Sequence, residues 1–587
     1  MILSTLLFAA AVAAPPSVAY VDANLTTGAN DGSSWANAFR GPLGLQAALA
    51  TDAPTIWVAD GTYYPGPVGS PASTTFQVSG SRTVIGGFAG GERGIWQVDP
   101  IANVAVLSGD LPGGPAGQPE LEAIMTIVGG VEWLTIDGLT FDVSLSGPTQ
   151  NAGGPRRAIV IDQSEGVRIL HCTIRDGRAP KGGGVRVTQS EANFFQCTIE
   201  NNTADQAGGG VHADATSETY YGDCLIRNNI GGRGAGLYLG AETGAPAAGS
   251  FPSLGGCTFE NNLGVIGAAS GGGLYCRGVV AEMADCTFIH CIVPGGGGAI
   301  FSEDSNLGID RSRFIDCAAA GDGGGAIYAN STQGPGWQTV DLGNCLFTGN
   351  HNALFAANGA SIVAEYSTIA NGRAQPGQAL FFPAIVATGQ TASEIILRNS
   401  IVWGNATVSG ASVGGNVFAL GGSTVTIERS DAQGWNGPSG SVNGSENFSA
   451  NPNFVDSDGA DGLVGNADDD LRLRLVSPCI DAANEEIVEL EFFAGLDLAK
   501  NDRPFDVASV ADTGSGYFGF GDLGCFERSP SDCPLDLNVD GAVDAADIAV
   551  LLGEWGQRWS DADFDNDRAV DASDLAILLG GFGNSCP

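Results

Sequence analysis

The chain is 587 residues long and carries 25 Lys+Arg against 65 Asp+Glu, a formal net charge of −40. That acidity excludes nucleic acid and anionic membrane as partners, because both need basic side chains to neutralise phosphate. Glycine (89) and proline (27) make up about one-fifth of the residues, short of the roughly 25–30% that marks low-complexity sequence, and a 43% apolar fraction can fill a large core.

Residues 1–19 hold an apolar stretch at 6–14 followed by small residues ending in Ser17-Val18-Ala19, the pattern of a secretory signal peptide, although no Lys or Arg precedes the stretch. The expectation is a secreted protein, extracellular or attached at the cell surface. Elsewhere no window reaches the roughly 18 apolar residues of a membrane span.

From 139 onward a unit recurs about every 29 residues, with equivalent anchors at 139, 172, 197, 224, 257, 286, 312, 345, 367, 400 and about 430. Six of them are Cys172, Cys197, Cys224, Cys257, Cys286 and Cys345. Glycine clusters at 182–184, 208–210, 271–273, 295–298 and 323–325 separate most copies. Period-2 alternation puts each anchor and the Ile or Phe two residues later on one face, with the intervening Thr and the following Arg or Glu on the other. One unit is too small to bury its own apolar face, so units must stack. The fold class is therefore all-β, a parallel β-helix over 20–450. Stacking predicts columns. Asn202, Asn229, Asn262, Asn350 and Asn405 share one register and form an asparagine ladder bonded to neighbouring backbone. The anchor cysteines are core residues, since no Cys-x-x-Cys metal spacing appears. Arg175, Glu200, Arg227 and Glu260 alternate in sign on the outer face as an ion-pair ladder.

The blocks beginning Tyr20-Val21-Asp22 and Ile56-Trp57-Val58, with Gly86-Gly87-Phe88, resemble the opening of secreted bacterial right-handed β-helix proteins (PbH1 repeat, pectin lyase-like). Gly298-Ala299-Ile300 and Gly325-Ala326-Ile327 are similar to repeats of polymorphic outer-membrane proteins. That fold hosts both polysaccharide-degrading enzymes and non-catalytic adhesins, so the resemblance implies a right-handed, pectate-lyase-like solenoid and leaves function open. Asp137, Asp142, Asp162, Arg168 and Asp176 lie close in the early coils without forming a tight group of three acids. Asp223 and Asp285 share a register with Gly256 between. His171, His212, His290 and His351 share none and are expected at surface or turn positions. No catalytic residue is assigned.

Residues 451–530 resemble the segment that ends many exported β-helix proteins, which implies an end cap. A disulfide between Cys479 and Cys525 is expected there. The acidic loop holding Asp456, Asp458 and Asp461 is an extra calcium loop or a solvated loop.

Residues 536–547 and 563–574 match the twelve-residue calcium loop, with oxygen ligands at positions 1, 3, 5, 7, 9 and 12. The first supplies Asp536, Asn538, Asp540, the Ala542 carbonyl, Asp544 and Asp547; the second supplies Asp563, Asp565, Asp567, the Ala569 carbonyl, Asp571 and Asp574. Each runs into a helical apolar pattern, Ile548, Leu551, Leu552, Trp555 and Leu575, Leu578, Leu579, Phe582. No entering helix precedes either loop. The duplicated loop and helix over 531–587 resemble a type I dockerin, a small double EF-hand-like helical module. The resemblance implies two Ca²⁺ and a cohesin-like or cell-surface partner. Arg568 replaces the turn glycine of the second loop, and Ala545-Ala546 and Ala572-Ser573 replace the usual recognition hydroxyls. Cys533 and Cys586 bracket the module and are expected to clasp it. Residues 531–587 hold eleven Asp and one Glu against two Arg, so much of the acidity sits at the metal loops. Two functions remain: an adhesin, scaffold or glycan binder, or a carbohydrate-active lyase or hydrolase acting on polysaccharide.

Overall fold

Short strands repeat in a fixed order, and each pairs in parallel with its counterpart one repeat later. The computed structural model describes residues 18–111, 121–144, 156–241, 251–264, 269–321, 323–336, 338–373, 383–405, 415–487, 495–507 and 510–529, and in the C-terminal stretch 533, 535–538, 541–557, 562, 564 and 569–584. The chain forms two compact units, 1–203 and 204–587. Both are parallel β-helices with three rows of strands.

In the first unit one row runs through Ala19–Asp22, Thr55–Ala59, Arg82–Phe88, Glu132–Asp137 and Glu165–Leu170. The second row includes Leu139–Asp142 and Thr173–Arg175, and the third Ala123–Val128 and Arg157–Asp162. A short helix α1 (Gly44–Leu49) buries Leu45, Ala48 and Leu49. The strand period of the repeats gave no sign of it.

In the second unit the rows begin at Glu218–Gly222, Leu225–Arg227 and Val211–Asp214 and end at Val442–Asn443, Asp431–Ala432 and Val417–Ala419. The register is the one the anchors predict. Leu225 pairs with Thr258, Thr258 with Thr287, Thr287 with Arg313, Arg313 with Leu346, Leu346 with Thr368 and Thr368 with Ile401. Inside, Phe259, Phe288, Phe314 and Phe347 stack at 4.5, 5.1 and 4.7 Å.

Left-handed corners precede every second-row strand of this unit and follow all but the last. Before it come Asp223, Gly256, Asp285, Arg311, Asn344, Tyr366, Asn399 and Arg429, all at positive φ; after it come Asn228, Asn261, His290, Asp316, Gly349, Asn371 and Gly404. Asn, Asp and Gly tolerate this region best. Most of these corners are therefore held by Asp, Asn and His rather than by the glycine clusters. The clusters have a second cause: a Cβ on Gly296 would stand 2.7 Å from the Tyr328 ring, and one on Gly323 2.7 Å from that of Phe355.

The asparagine ladder is present and points to the preceding coil. Asn202 Oδ1 accepts the Gly177 N–H at 2.9 Å, and its amide donates to the Ile174 carbonyl at 3.1 Å. Asn350 does the same for Cys317 and Phe314, and Asn405 for Gly372 and Ile369.

Described residues of segment 451–527 pack along the outer side of the second row, where Leu346, Thr368, Ala370 and Ile401 are buried beneath them with Cys479, Ile480, Leu523 and Cys525. A partial signal was in the repeats: the outward column that reads Thr258, Thr287 and Arg313 continues as Leu346, Thr368 and Ile401.

Candidate functional site

Outward side chains of the first row in the second unit form a trough. Tyr220 pairs with Ser253, Ser253 with Glu282, Glu282 with Gly308 and Gly308 with Asp341, so these lie in one column. The adjacent column runs Gly255, Ala284, Asp310. Small residues there lower the floor and leave a cavity of about 450 Å³ lined by Val280, Glu282, Ala284, Asn306, Asp310 and Asp341. Tyr220 is half-exposed, and its hydroxyl reaches over Gly255.

The trough is bordered by a corner network. Asp285 and Arg311 occupy successive left-handed corners, and Arg311 Nε donates to Asp285 Oδ1 at 3.1 Å. Arg311 also pairs with Asp310, whose Oδ1 accepts from Asn344 at 3.3 Å. Burial raises the Asp310 carboxyl above the usual carboxylate range despite the pull of Arg311. From the flanking segment, Lys500 reaches Asp285 at 3.4 Å and Arg503 donates to Asn344 at 3.2 Å. Arg311 and Lys500 are thus engaged by carboxylates.

Of the sequence candidates, only Asp285 falls beside this trough. In the first unit Asp137 pairs with His171 at 2.7 Å. Asp142 pairs with Arg175 at 2.6 Å. Burial opposes ionisation of Asp142, yet Ser144 and Arg175 hold its carboxyl below the usual range, while burial raises that of neighbouring Asp176. Arg168 lies over the Trp133 ring at 5.8 Å, and Asp162 ends a third-row strand. Among the described residues these acids do not converge as a group of three. His290 is exposed beside Asp316, but His212 and His351 are buried, against expectation: His212 stacks on Tyr238 at 4.9 Å, and His351 contacts the Ala319 carbonyl at 3.0 Å. The trough was missed because it is made by what is absent, a run of small outward residues across three coils.

At the C-terminus, α2 (Ala545–Gly553) and α3 (Ala572–Gly581) follow the two loops. Asp536 Oδ2 accepts the Gly541 N–H at 2.8 Å. Asp547 accepts the amides of Asn538 and Asp544 at 3.2 and 2.7 Å, and Asp574 those of Phe564 and Asp571 at 2.7 and 2.8 Å. Asp544 and Asp571 cap their helices. The fully buried Asp547 and Asp574 carboxylates have the chemistry a hard cation needs. Ala542 and Ala569 are described; Asp540, Asp563, Asp565 and Asp567 lie outside the described residues. The helical stripes are only half used: Leu551 and Leu578 are buried, whereas Leu552, Trp555, Leu579 and Phe582 are about half exposed.

The expected Cys479–Cys525 bridge needs correcting. Cys479 and Cys525 are both buried, reduced thiols, because each packs into a different apolar cluster. The repeat cysteines likewise form no disulfide. Cys533 is disulfide-bonded; Cys586 lies outside the described residues. Asp456, Asp458 and Asp461 are exposed and not gathered into a cation-holding group, and both Asp461 oxygens are taken by Leu463 N–H and the Asn466 amide.

No protein-family model matches the chain, and no curated protein matches it. Among solved structures it is similar to pectate lyase Pel9A, at 14% identity and a TM-score of 0.37, over 87% of this chain and 96% of that one. It is also similar to the PL6 family alginate lyase AlyGC, at 11% identity and a TM-score of 0.34, over 77% of this chain and 57% of that one. Neither likeness assigns a role to a residue here. Among the described residues no helix is long and apolar enough to cross a membrane.

Proposed function

We propose that this is a secreted β-helix protein that binds a glycan in the trough and is held by its C-terminal module, loaded with two Ca²⁺, to a cohesin-like partner or a cell-surface component. The observation that carries glycan binding is the trough itself, an open cleft with a small-residue floor and a half-exposed tyrosine at one end. Hydrogen-bonding groups line its sides (Glu282, Asn306, Asp310, Asp341). The Glu282 and Asp341 carboxylates on either side of Gly308 repel uronates, so the ligand is a neutral or amino-sugar glycan. The dockerin-like role is supported by the buried position-12 carboxylates and by the exposed Leu552, Trp555, Leu579 and Phe582.

The raised Asp310 carboxyl favours a second function, glycoside hydrolysis, with Asp310 as general acid and Glu282 or Asp341 as base. A lyase is disfavoured because Arg311 and Lys500 are both engaged by acids.

Gly308→Leu tests both. Gly308 is not at positive φ, and a Cβ there has Glu282 Cγ at 4.0 Å as its nearest neighbour, so the side chain fills the trough without strain. Calorimetry against neutral, amino-sugar and uronate oligosaccharides should show binding to one of the first two, weakened at least about tenfold by the substitution. Binding of uronates alone, of no glycan, or equally by the variant would overturn glycan recognition at this trough. Release of reducing ends, abolished in Asp310→Asn, would select the hydrolase.

A further inference from the structure

Asp481 sits in the flanking segment and not in the calcium loops, and its backbone is fixed on both sides. Its N–H donates to Asp522 Oδ1 at 2.8 Å, and its carbonyl accepts the Thr513 and Gly514 amides, each at 2.8 Å. It occupies a left-handed conformation (φ 50°), so the side chain is held in one direction. The residue is fully buried. Its Oδ1 receives the Val507 N–H at a long 3.4 Å, and its Oδ2 has no hydrogen-bond partner. Among the described residues no Lys or Arg is within ion-pair distance of it.

A buried carboxylate oxygen without a partner calls for an explanation. Two more carboxylates converge on this one: one oxygen each from Asp481, Asp506 and Asp512 lie within 4.8 Å of one another. Asp506 and Asp512 are exposed and reach in from the neighbouring loop. Without a cation this geometry combines desolvation of one carboxylate with repulsion from two others. With one, both costs are reversed.

We propose that Asp481, Asp506 and Asp512 form a structural binding site for one divalent cation of the calcium type. Oxygens all within 4.8 Å of one another can contact one Ca²⁺ at its usual bond length of about 2.3–2.6 Å, and Ca²⁺ accepts the irregular shell that a buried carboxylate and two loop carboxylates offer, whereas Mg²⁺ requires a near-ideal octahedron at about 2.0–2.1 Å. Waters complete the shell on the open side. The cation ties the 502–513 loop to the strip 477–483. Cys479, Ile480 and Ala482 of that strip pack with Tyr366 and Ile401 of the solenoid. Calcium therefore locks the flanking segment onto the second row. Neither glycan binding nor the C-terminal loops enter this argument.

The test is a count of bound Ca²⁺ on the full chain by equilibrium dialysis, with calcium as the sole added metal. The double variant Asp506→Asn/Asp512→Asn alters only exposed side chains and should bind one equivalent fewer than the natural chain. Asp456→Asn/Asp458→Asn, an equally acidic and exposed pair, should bind the same number as the natural chain. Calcium should protect segment 451–527 from proteolysis in the natural chain and not in Asp506→Asn/Asp512→Asn. Equal counts in the natural chain and that variant, or unchanged protection, would overturn the site. Because the readout is a difference, it holds whether or not the C-terminal loops load.

Discussion

The asparagine ladder yields a prediction that separates scaffold from binding surface. Asn262 is fully buried between two coils. Its Oδ1 accepts the Asn229 N–H and the Asn229 amide, both at 3.1 Å, and its own amide donates to the Ile226 carbonyl at 2.7 Å. Asn262→Ala removes all three bonds and strands a backbone N–H and a backbone carbonyl where little water can reach. Each stranded group costs about 1–3 kcal/mol, so the expected destabilisation for the two is roughly 2–6 kcal/mol. Because coils are coupled mainly to their neighbours, the loss appears as early unfolding of this stretch. Guanidinium titration followed by far-ultraviolet circular dichroism measures it. Asn306→Ala is the control. Asn306 is exposed, lines the trough and accepts one bond, from the Thr339 N–H to its Oδ1 at 3.0 Å. It should cost under about 1 kcal/mol while weakening glycan binding. If Asn262→Ala stays within about 0.5 kcal/mol of the natural chain and instead loses glycan affinity, the ladder is a binding surface and the argument fails.

The remaining predictions concern packing, pH and metal. Phe288 stacks between Phe259 and Phe314, so Phe288→Ala should cost about 3–5 kcal/mol in the same titration. Burial pushes the Asp431 carboxyl up to about 6, above its unfolded value. The folded chain then holds that proton more tightly. The resulting stability is fully present below about pH 4 and is lost, by roughly 3 kcal/mol, as pH rises through 6. Asp431→Asn should flatten that part of the pH–stability curve; an unchanged slope would refute it. Chelation should unfold α2 and α3, read as lost helical dichroism that calcium restores, because buried Asp547 and Asp574 repel other loop acids once the cation leaves.

The repeat period alone determined the coil register. A period-2 pattern with anchors near every 29th residue allows one stacking, since a one-residue slip would turn every core side chain outward. The Asn ladder and the buried anchor cysteines followed from the same columns. The helices α2 and α3 that follow the C-terminal loops were equally legible, because their apolar residues recur at the helical spacing. What depended on separate segments meeting was not legible. The resemblance of the closing segment suggested a Cys479–Cys525 bridge, but packing sent the two into different clusters. The packing of the flanking segment against the second row, over Leu346, Ala370 and Ile401, was likewise not legible. The trough at Gly308 and the convergence of Asp481 with Asp506 and Asp512 exist only where coils and loops are brought side by side. Spacing along a chain fixes what faces the core of a repeat; which surfaces meet outside it is decided by the folded path of the segments between.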